Sequence, residues 1–207
     1  PKAHQGTEEG RFEREMIPWK NNGDTYVTDQ GIRPPEEGSL EKLASLKPAF
    51  KEDGKVTAGN SSQVSDGAAA VLLMTREKAE ALGLTPRARI YDQTTVGVDP
   101  VIMLTGPIPA TRKLLERNTL QMDDIDLVEV NGAFASVLAA WRRELDPDMD
   151  RVNVNGGAIA LGHPLGSSGA RLITTLLHEL ERSDKELGLV TMCCGGGVGT
   201  GGVIQRV

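Results

Sequence analysis

Residues 127–145 read LVEVNGAFASVLAAWRREL. Leu127 to Val130 is a short run that reads as a buried strand, and Ala133 to Leu145 reads as a helix stopped ahead of Pro147. A strand handed straight to a helix is the first half of a βαβ unit, and the pattern repeats outward in both directions. Upstream, Arg87 to Val96 is rich in β-branched residues and predicts a strand, followed by a helix over Pro109 to Arg117. Downstream come a short strand at Val152 to Val154, a helix over Ser167 to Leu180, and strands at Leu187 to Met192 and Gly202 to Val207. The last two are joined by a glycine-rich turn and predict an antiparallel hairpin. The chain is therefore expected to be α/β, with one mixed sheet covered by helices.

Composition agrees. Apolar residues make up 39% and charged residues 25% of the 207, as in a soluble globular protein. Aromatics are only 3% against 24 glycines, so the core must be built from Val, Ile, Leu and Ala. The net charge of -6 and the lack of a basic run argue against a nucleic-acid surface. No stretch approaches the roughly 20 apolar residues of a membrane span. Pro1 to Gly10 is polar and does not read as a signal peptide. The two cysteines, Cys193 and Cys194, are adjacent and unsuited to a disulfide, so a reducing cytoplasm is expected. No metal is expected.

Residues 1 to about 60 are polar and dense in turn signals: Ile17-Pro18, Asn21-Asn22-Gly23-Asp24 and Arg33-Pro34-Pro35. They read as an excursion loop with one short helix over Ser39 to Leu46, capped by Ser39. From Ser61 the character changes. Ala68 to Met74 is a continuous apolar run that predicts a buried strand or helix, and Thr75 caps a helix that Gly83 stops. The chain opens on Pro1 rather than Met, which leaves a fragment, a processed chain and one subunit of a split enzyme as open readings.

Three loops carry candidate chemistry. The first is Glu129-Val130-Asn131-Gly132-Ala133-Phe134-Ala135. Its Asn131 can donate and accept at once, although alone it reads equally as a helix N-cap. The second runs from Asn153 to Arg171 and sets five glycines around His163, just before a helix. Pro164 restricts the backbone at His163, and imidazole suits proton transfer near neutral pH. Alone, the loop could equally cradle phosphate, but neither a P-loop nor a Rossmann glycine pattern is present. The third is Thr191 to Gly202, where a strand ends at Cys193 and runs into six glycines within eight residues. Glycines let backbone N–H groups face developing negative charge, and a cysteine there can exchange a proton. Taken together, Asn131, His163 and Cys193 suggest acyl chemistry.

At these loops the sequence closely resembles the thiolase family. Asn131-Gly132-Ala133-Phe134 is similar to the family's N-E-A-F loop, and Gly162-His163-Pro164 to its G-H-P loop inside a longer signature. Cys193-Cys194-Gly195 is similar to its C-x-G. Thr57 to Ser62, Ser65 to Ala70, Val96 to Pro100 and Gly106 to Ala110 match further family stretches, so the resemblance covers nearly the whole chain.

The resemblance implies a carboxyl-terminal half of βαβαβαββ topology with a mixed five-stranded sheet. Residues 1–60 are then the end of the loop subdomain that covers coenzyme A, and residues 61–207 the carboxyl-terminal domain. It implies an acyltransferase moving acyl groups between thioesters, by thiolytic cleavage of 3-oxoacyl-CoA or by condensation of acetyl-CoA, with no bound cofactor and coenzyme A as substrate. His163 would activate the nucleophile and donate to the thioester oxygen, Asn131 would hold a water, and Cys193 would be the acid/base. The N–H of Gly195 would serve a second oxyanion hole. Ser62 would contact the pantetheine arm, with Met103 and Phe134 lining the pocket. The nucleophilic cysteine belongs to the amino-terminal half, in the same or a separate chain, and dimers or tetramers are implied. The motifs lean towards degradative thiolases of fatty-acid or sterol side-chain type. One departure is Gly132, which stands where the family has an acidic residue. It motivates a rival, a non-catalytic CoA-binding subunit. A related ketosynthase is disfavoured by the Gly-His-Pro and Cys-x-Gly pair.

Overall fold

Strand and helix meet where residues 127–145 predict them: Leu127–Asn131 is a strand buried at all five positions, and Ala135–Leu145 is a helix. The computed structural model describes residues 1–207. In chain order the elements are α1 (Lys2–Glu8), β1 (Trp19–Asn21), β2 (Asp24–Tyr26), α2 (Ser39–Ala44), α3 (Arg76–Ala81), β3 (Ala88–Gly97), α4 (Pro107–Arg117), β4 (Leu127–Asn131), α5 (Ala135–Leu145), α6 (Gly157–Leu161), α7 (Ser168–Arg182), β5 (Leu187–Cys194) and β6 (Val198–Arg206).

Four strands form a mixed sheet in the order β3-β6-β5-β4. β4 and β5 run parallel, while β6 is antiparallel to both β5 and β3. The predicted hairpin is therefore present, and Val152 bridges to Val128 where a fifth strand would lie. Alternation along each strand serves two apolar layers. Val128, Val130, Leu189 and Val203 pack with Leu114 and Trp141 on one side. Leu127, Val190 and Ile204 pack with Leu172, Leu176 and Leu180 of α7 on the other. Trp141 is the one large ring in this core. It is fully buried, and its Nε1 donates to Thr111 Oγ1 at 3.0 Å.

Glycine does specific work at one crossing. The backbones of Gly106 and Gly199 lie so close that a Cβ on either would sit 2.5 Å from the other's main chain. That contact pins the loop before α4 against β6, beside the Cys193 hairpin.

Several expectations need correction. Ala68 to Met74 is neither buried nor paired: it forms no helix or strand, with Leu72 78% and Leu73 67% exposed. An apolar run fixes a preference for burial, and nothing in this chain covers it. Val152 to Val154 is a single bridge rather than a strand. Gly38, in the left-handed region, caps α2, and Ser39 is its first residue. Asn131 caps no helix, because α5 begins after Phe134. Thr75 does cap α3, accepting from Lys78 N.

The amino-terminal arm is fastened to the far side of α6 and α7. Lys2 Nζ donates to Val152 O at 3.1 Å, Arg11 reaches Asn155 Oδ1 at 3.1 Å, and Ala3 packs beside Gly156. No helix is long and apolar enough to cross a membrane.

Candidate active site

The carboxyl edge of the sheet collects the candidate residues. β4 ends on Asn131, which is fully buried and held opposite Met192 by the parallel register with β5. The chain then crosses through the α6 turn to Gly162, whose positive φ of 84° suits a residue without a Cβ. Gly162 lies against Ser65, and a Cβ on Gly67 would meet Pro164, so residues 61–67 pack directly on the His163 loop. His163 N donates to Gln63 O at 3.3 Å.

The imidazole of His163 is held at both nitrogens. Asn131 Nδ2 lies 3.2 Å from Nε2, and Ser168 Oγ lies 2.6 Å from Nδ1. Ser168 Oγ is also 2.8 Å from Pro164 O. A carbonyl only accepts, so the hydroxyl proton goes to Pro164 and Ser168 accepts from Nδ1–H. Nε2 is then the basic nitrogen, accepting from Asn131. Burial, and then the nearby Arg171 cation, lower the pKa of His163, favouring the neutral ring. Asn131 Oδ1 is buried and has no partner within the chain.

Cys193 follows Met192 on β5. It is buried, and burial pushes its thiol pKa up, which keeps it protonated at neutral pH. Met192 packs towards α7, and alternation turns Cys193 to the other side of the strand. The structure thus joins Asn131 and His163 directly and sets Cys193 at the same sheet edge, bonded to neither. Gly195 is exposed in the β5–β6 turn, followed by Gly196 and Gly197 with φ of 78° and 83°.

The remaining candidates border this edge. Ser62 N donates to Ala133 O at 2.7 Å, which places Ser62 beside Phe134. Phe134 meets Phe50 edge to face, with ring centroids 5.8 Å apart. Met103 lies in the 98–106 loop with a positive φ of 40° and is 36% exposed. That loop rests on the glycine turn, since Val98 N donates to Gly197 O at 2.7 Å.

A family model described as "Thiolase, C-terminal domain" matches residues 84–206, and one described as "Thiolase, N-terminal domain" matches residues 1–77. The chain belongs to the thiolase family. An acetyl-CoA acetyltransferase of Syntrophomonas wolfei is 47% identical over 99% of this chain and 52% of its own length. A steroid 3-ketoacyl-CoA thiolase of Mycobacterium tuberculosis is 51% identical over 96% of this chain and 48% of its own length. The crystal structure of the Bacillus anthracis acetyl-CoA acetyltransferase superposes with a TM-score of 0.93 at 44% identity, covering 100% of this chain and 53% of that one. The chain spans about half the length of the thiolases it matches.

Sequence reasoning passed over Ser168. It lies five residues after His163 inside the quoted thiolase loop, but its value depends on a turn that folds it back onto the ring. Ser168→Ala removes the acceptor for Nδ1–H, at about 1.4 kcal/mol for one hydrogen bond. In the assembled thiolase the expected result is a roughly tenfold lower kcat with little change in KM, and Thr should restore it. Steady-state kinetics of the three proteins check this.

Two carboxylates behind the site carry a pH signature. Burial lifts both Glu15 and Glu129 to about 7, with Arg171 pulling each back. A carboxyl whose folded pKa exceeds its unfolded value binds more protons when folded. Its contribution is therefore full below the unfolded value and is lost as pH rises through about 7. Wild type should lose melting temperature relative to Glu129→Gln between pH 5 and pH 8. Parallel melting curves across that range would contradict the assignment.

Proposed function

We propose that this chain is the carboxyl-terminal part of a thiolase that transfers acyl groups between thioesters, cleaving a 3-oxoacyl-CoA with coenzyme A or condensing acetyl-CoA in reverse. The observation that carries this is the His163–Asn131 contact with its fixed tautomer, at a sheet edge shared with the protonated thiol of Cys193.

The chemistry follows from those groups. A cysteine thiol supplied by the amino-terminal half displaces the Asn131 Nδ2–H donor and gives its proton to His163 Nε2, and the thiolate attacks the keto carbon. Nε2–H then donates to the developing oxyanion. Asn131 Oδ1, free to accept, holds a water that gives a second donor. The C–C bond breaks, and the leaving enolate of acetyl-CoA takes its proton from Cys193. A second coenzyme A passes its thiol proton to the Cys193 thiolate and attacks the acyl-enzyme; the bond from the acyl group to the nucleophilic cysteine breaks, and that cysteine leaves as a thiolate and takes its proton back from His163 Nε2. Gly195 N–H faces the enolate oxygen, and one such donor is typically worth about 3–4 kcal/mol. Ser62 contacts the pantetheine arm, while Met103 and Phe134 line the pocket.

Residues 1–60 act as the end of the loop subdomain that covers coenzyme A, and residues 61–207 as the carboxyl-terminal unit. The amino-terminal half covers the exposed, unpaired run at Leu72 and Leu73. In this reading the enzyme is a cytoplasmic dimer or tetramer acting in fatty-acid or related lipid metabolism, and the relative named a steroid 3-ketoacyl-CoA thiolase supports the lipid assignment.

The rival, a CoA-binding subunit without catalysis, draws on Gly132. That residue is buried, its φ is not positive, and a Cβ there would meet Leu138 at an ordinary 3.5 Å. The backbone therefore admits the family's acidic residue. Gly132→Glu is expected to raise the cleavage rate of the assembled enzyme, and restoring Glu without any gain would refute a role for this departure. CoA-dependent cleavage of acetoacetyl-CoA separates the two readings. Activity only when both halves are present supports the enzyme. Binding of coenzyme A without cleavage by the pair supports the rival.

A further inference from the structure

One polar cluster lies behind the site and takes no part in the chemistry above. Helix α7 turns Arg171, Thr175, His178 and Glu179 inward, with the exposed Arg182 at its end. Glu129 of β4 faces it, 2% exposed, with its Oε2 3.5 Å from Arg171 Nη1. Glu15 of the amino-terminal arm accepts from Thr175 Oγ1 at 3.3 Å and lies 3.8 Å from His178 Nδ1. Glu179 accepts from Asn155 Nδ2 at 3.2 Å and from Arg182.

Stability does not explain this pair. Burying a carboxylate and a guanidinium costs several kcal/mol per ion, and apolar replacements are often neutral or better. The cost is high here because Glu129 Oε2 and both terminal nitrogens of Arg171 are buried without a hydrogen bond. What the pair does have is position. Glu129 precedes Asn131 by two residues on a strand, so both side chains leave the same face. Arg171 follows Ser168 by three residues, one helical turn behind the hydroxyl that holds His163 Nδ1. The two elements that present Asn131 and His163 to each other are thus bridged one step behind their contact.

We propose that Glu129 and Arg171 are positioning residues, a buried polar clamp between β4 and α7 that sets the His163–Asn131 geometry. This rests on the thiolase assignment of those two groups. The clamp touches no substrate. It acts through the strand end that aims Asn131 and the helix start that holds Ser168. The Arg171 charge adds a second influence, since it disfavours the imidazolium form of His163. The other charged groups facing the pair are Glu15, Glu179 and Lys2, and none of them bridges β4 to the start of α7.

The test uses the enzyme assembled from this chain and the amino-terminal half. Variants are Glu129→Gln, Arg171→Met, Arg171→Lys and the double Glu129→Gln/Arg171→Met, which removes both charges of the pair together. Readouts are kcat and KM for acetoacetyl-CoA cleavage, the melting temperature, and the tautomer and titration of His163 by nitrogen-15 NMR. The double variant should stay folded, with kcat down about 10- to 100-fold, as a misplacement near 1 Å produces, and KM within about twofold. His163 should lose its single tautomer and titrate at higher pH in both Arg171→Met proteins. Arg171→Lys should keep that titration low. A folded double variant with wild-type kcat and an unchanged His163 spectrum overturns the clamp. Failure of every variant to fold assigns the pair to stability alone and also overturns it. If wild type itself does not cleave the thioester, the thiolase assignment fails instead, and the NMR readout still decides whether the pair orients His163.

Discussion

His163→Ala, in the enzyme assembled from both thiolase halves, is expected to lower kcat for acetoacetyl-CoA cleavage by about 10²- to 10⁴-fold, the usual contribution of a positioned acid–base group. The fold should tolerate the change. His163 is half-buried in a loop, and its hydrogen-bond partners Asn131 and Ser168 are attached to a strand and a helix that pack independently of it. KM should therefore change less than kcat, because the ring is used to move a proton and hold an oxyanion rather than to bind the pantetheine arm. The pH profile adds a second signature. Burial and Arg171 lower the His163 pKa, so the acid limb of the wild-type profile should fall below the ordinary imidazole range. Arg171→Met should move that limb towards neutral pH, and Arg171→Lys should leave it low. A His163→Ala enzyme with near wild-type kcat would remove the nitrogen on which the mechanism turns.

The second large effect concerns the scaffold. Trp141→Ala should cost about 3–5 kcal/mol, in the range of large aromatic truncations in a close-packed core. Trp141 is fully buried among Leu114, Val128, Val130 and Leu189, between the sheet and α4. With so few aromatic residues in the chain, no neighbouring ring can fill the cavity. Its Nε1–H also leaves Thr111 Oγ1, which keeps its own bond to Pro107 O at 2.8 Å. For a chain of this size the loss corresponds to a fall of roughly 6–20 °C in melting temperature. Phe at the same position keeps most of the volume and should recover more than half of that. Thermal unfolding followed by far-ultraviolet circular dichroism measures both.

Much of the architecture was legible because it depends on local signals. The step from Val130 to Ala135, the cap at Thr75, the stop at Gly83 and the glycine turn between Cys194 and Val198 are set by residues adjacent in sequence. The pairing of the last two strands follows from the turn. The exposed run at Ala68 to Met74 was not legible in the same way. Its apolar character fixes what it wants, but whether anything covers it depends on contacts that are not local in sequence. The step at Val152 to Val154 is similar: three residues do not sustain a ladder once Asn153 turns its side chain to the Val130 backbone, accepting from Val130 N at 2.8 Å.

The site divides along the same line. Asn131, His163 and Cys193 stand out because glycine-rich loops announce them. Ser168 and the Glu129–Arg171 pair do not, since each depends on a contact between elements distant in sequence. A serine in the first turn of a helix and a charge inside a strand read as a solvated residue and an anomaly until the fold is seen. The opposite also happens. Asn131 has the sequence setting of a cap, yet its amide is committed to the His163 ring, because α5 starts four residues later.

The central claim is that one thioester lies between His163 and Cys193. A crystal structure of the assembled enzyme with acetyl-CoA bound tests it most directly. The account predicts the carbonyl oxygen about 3 Å from His163 Nε2 and the acetyl methyl group in contact with Cys193 Sγ. An acetyl group seated elsewhere, or one out of reach of the Cys193 thiol, would contradict it.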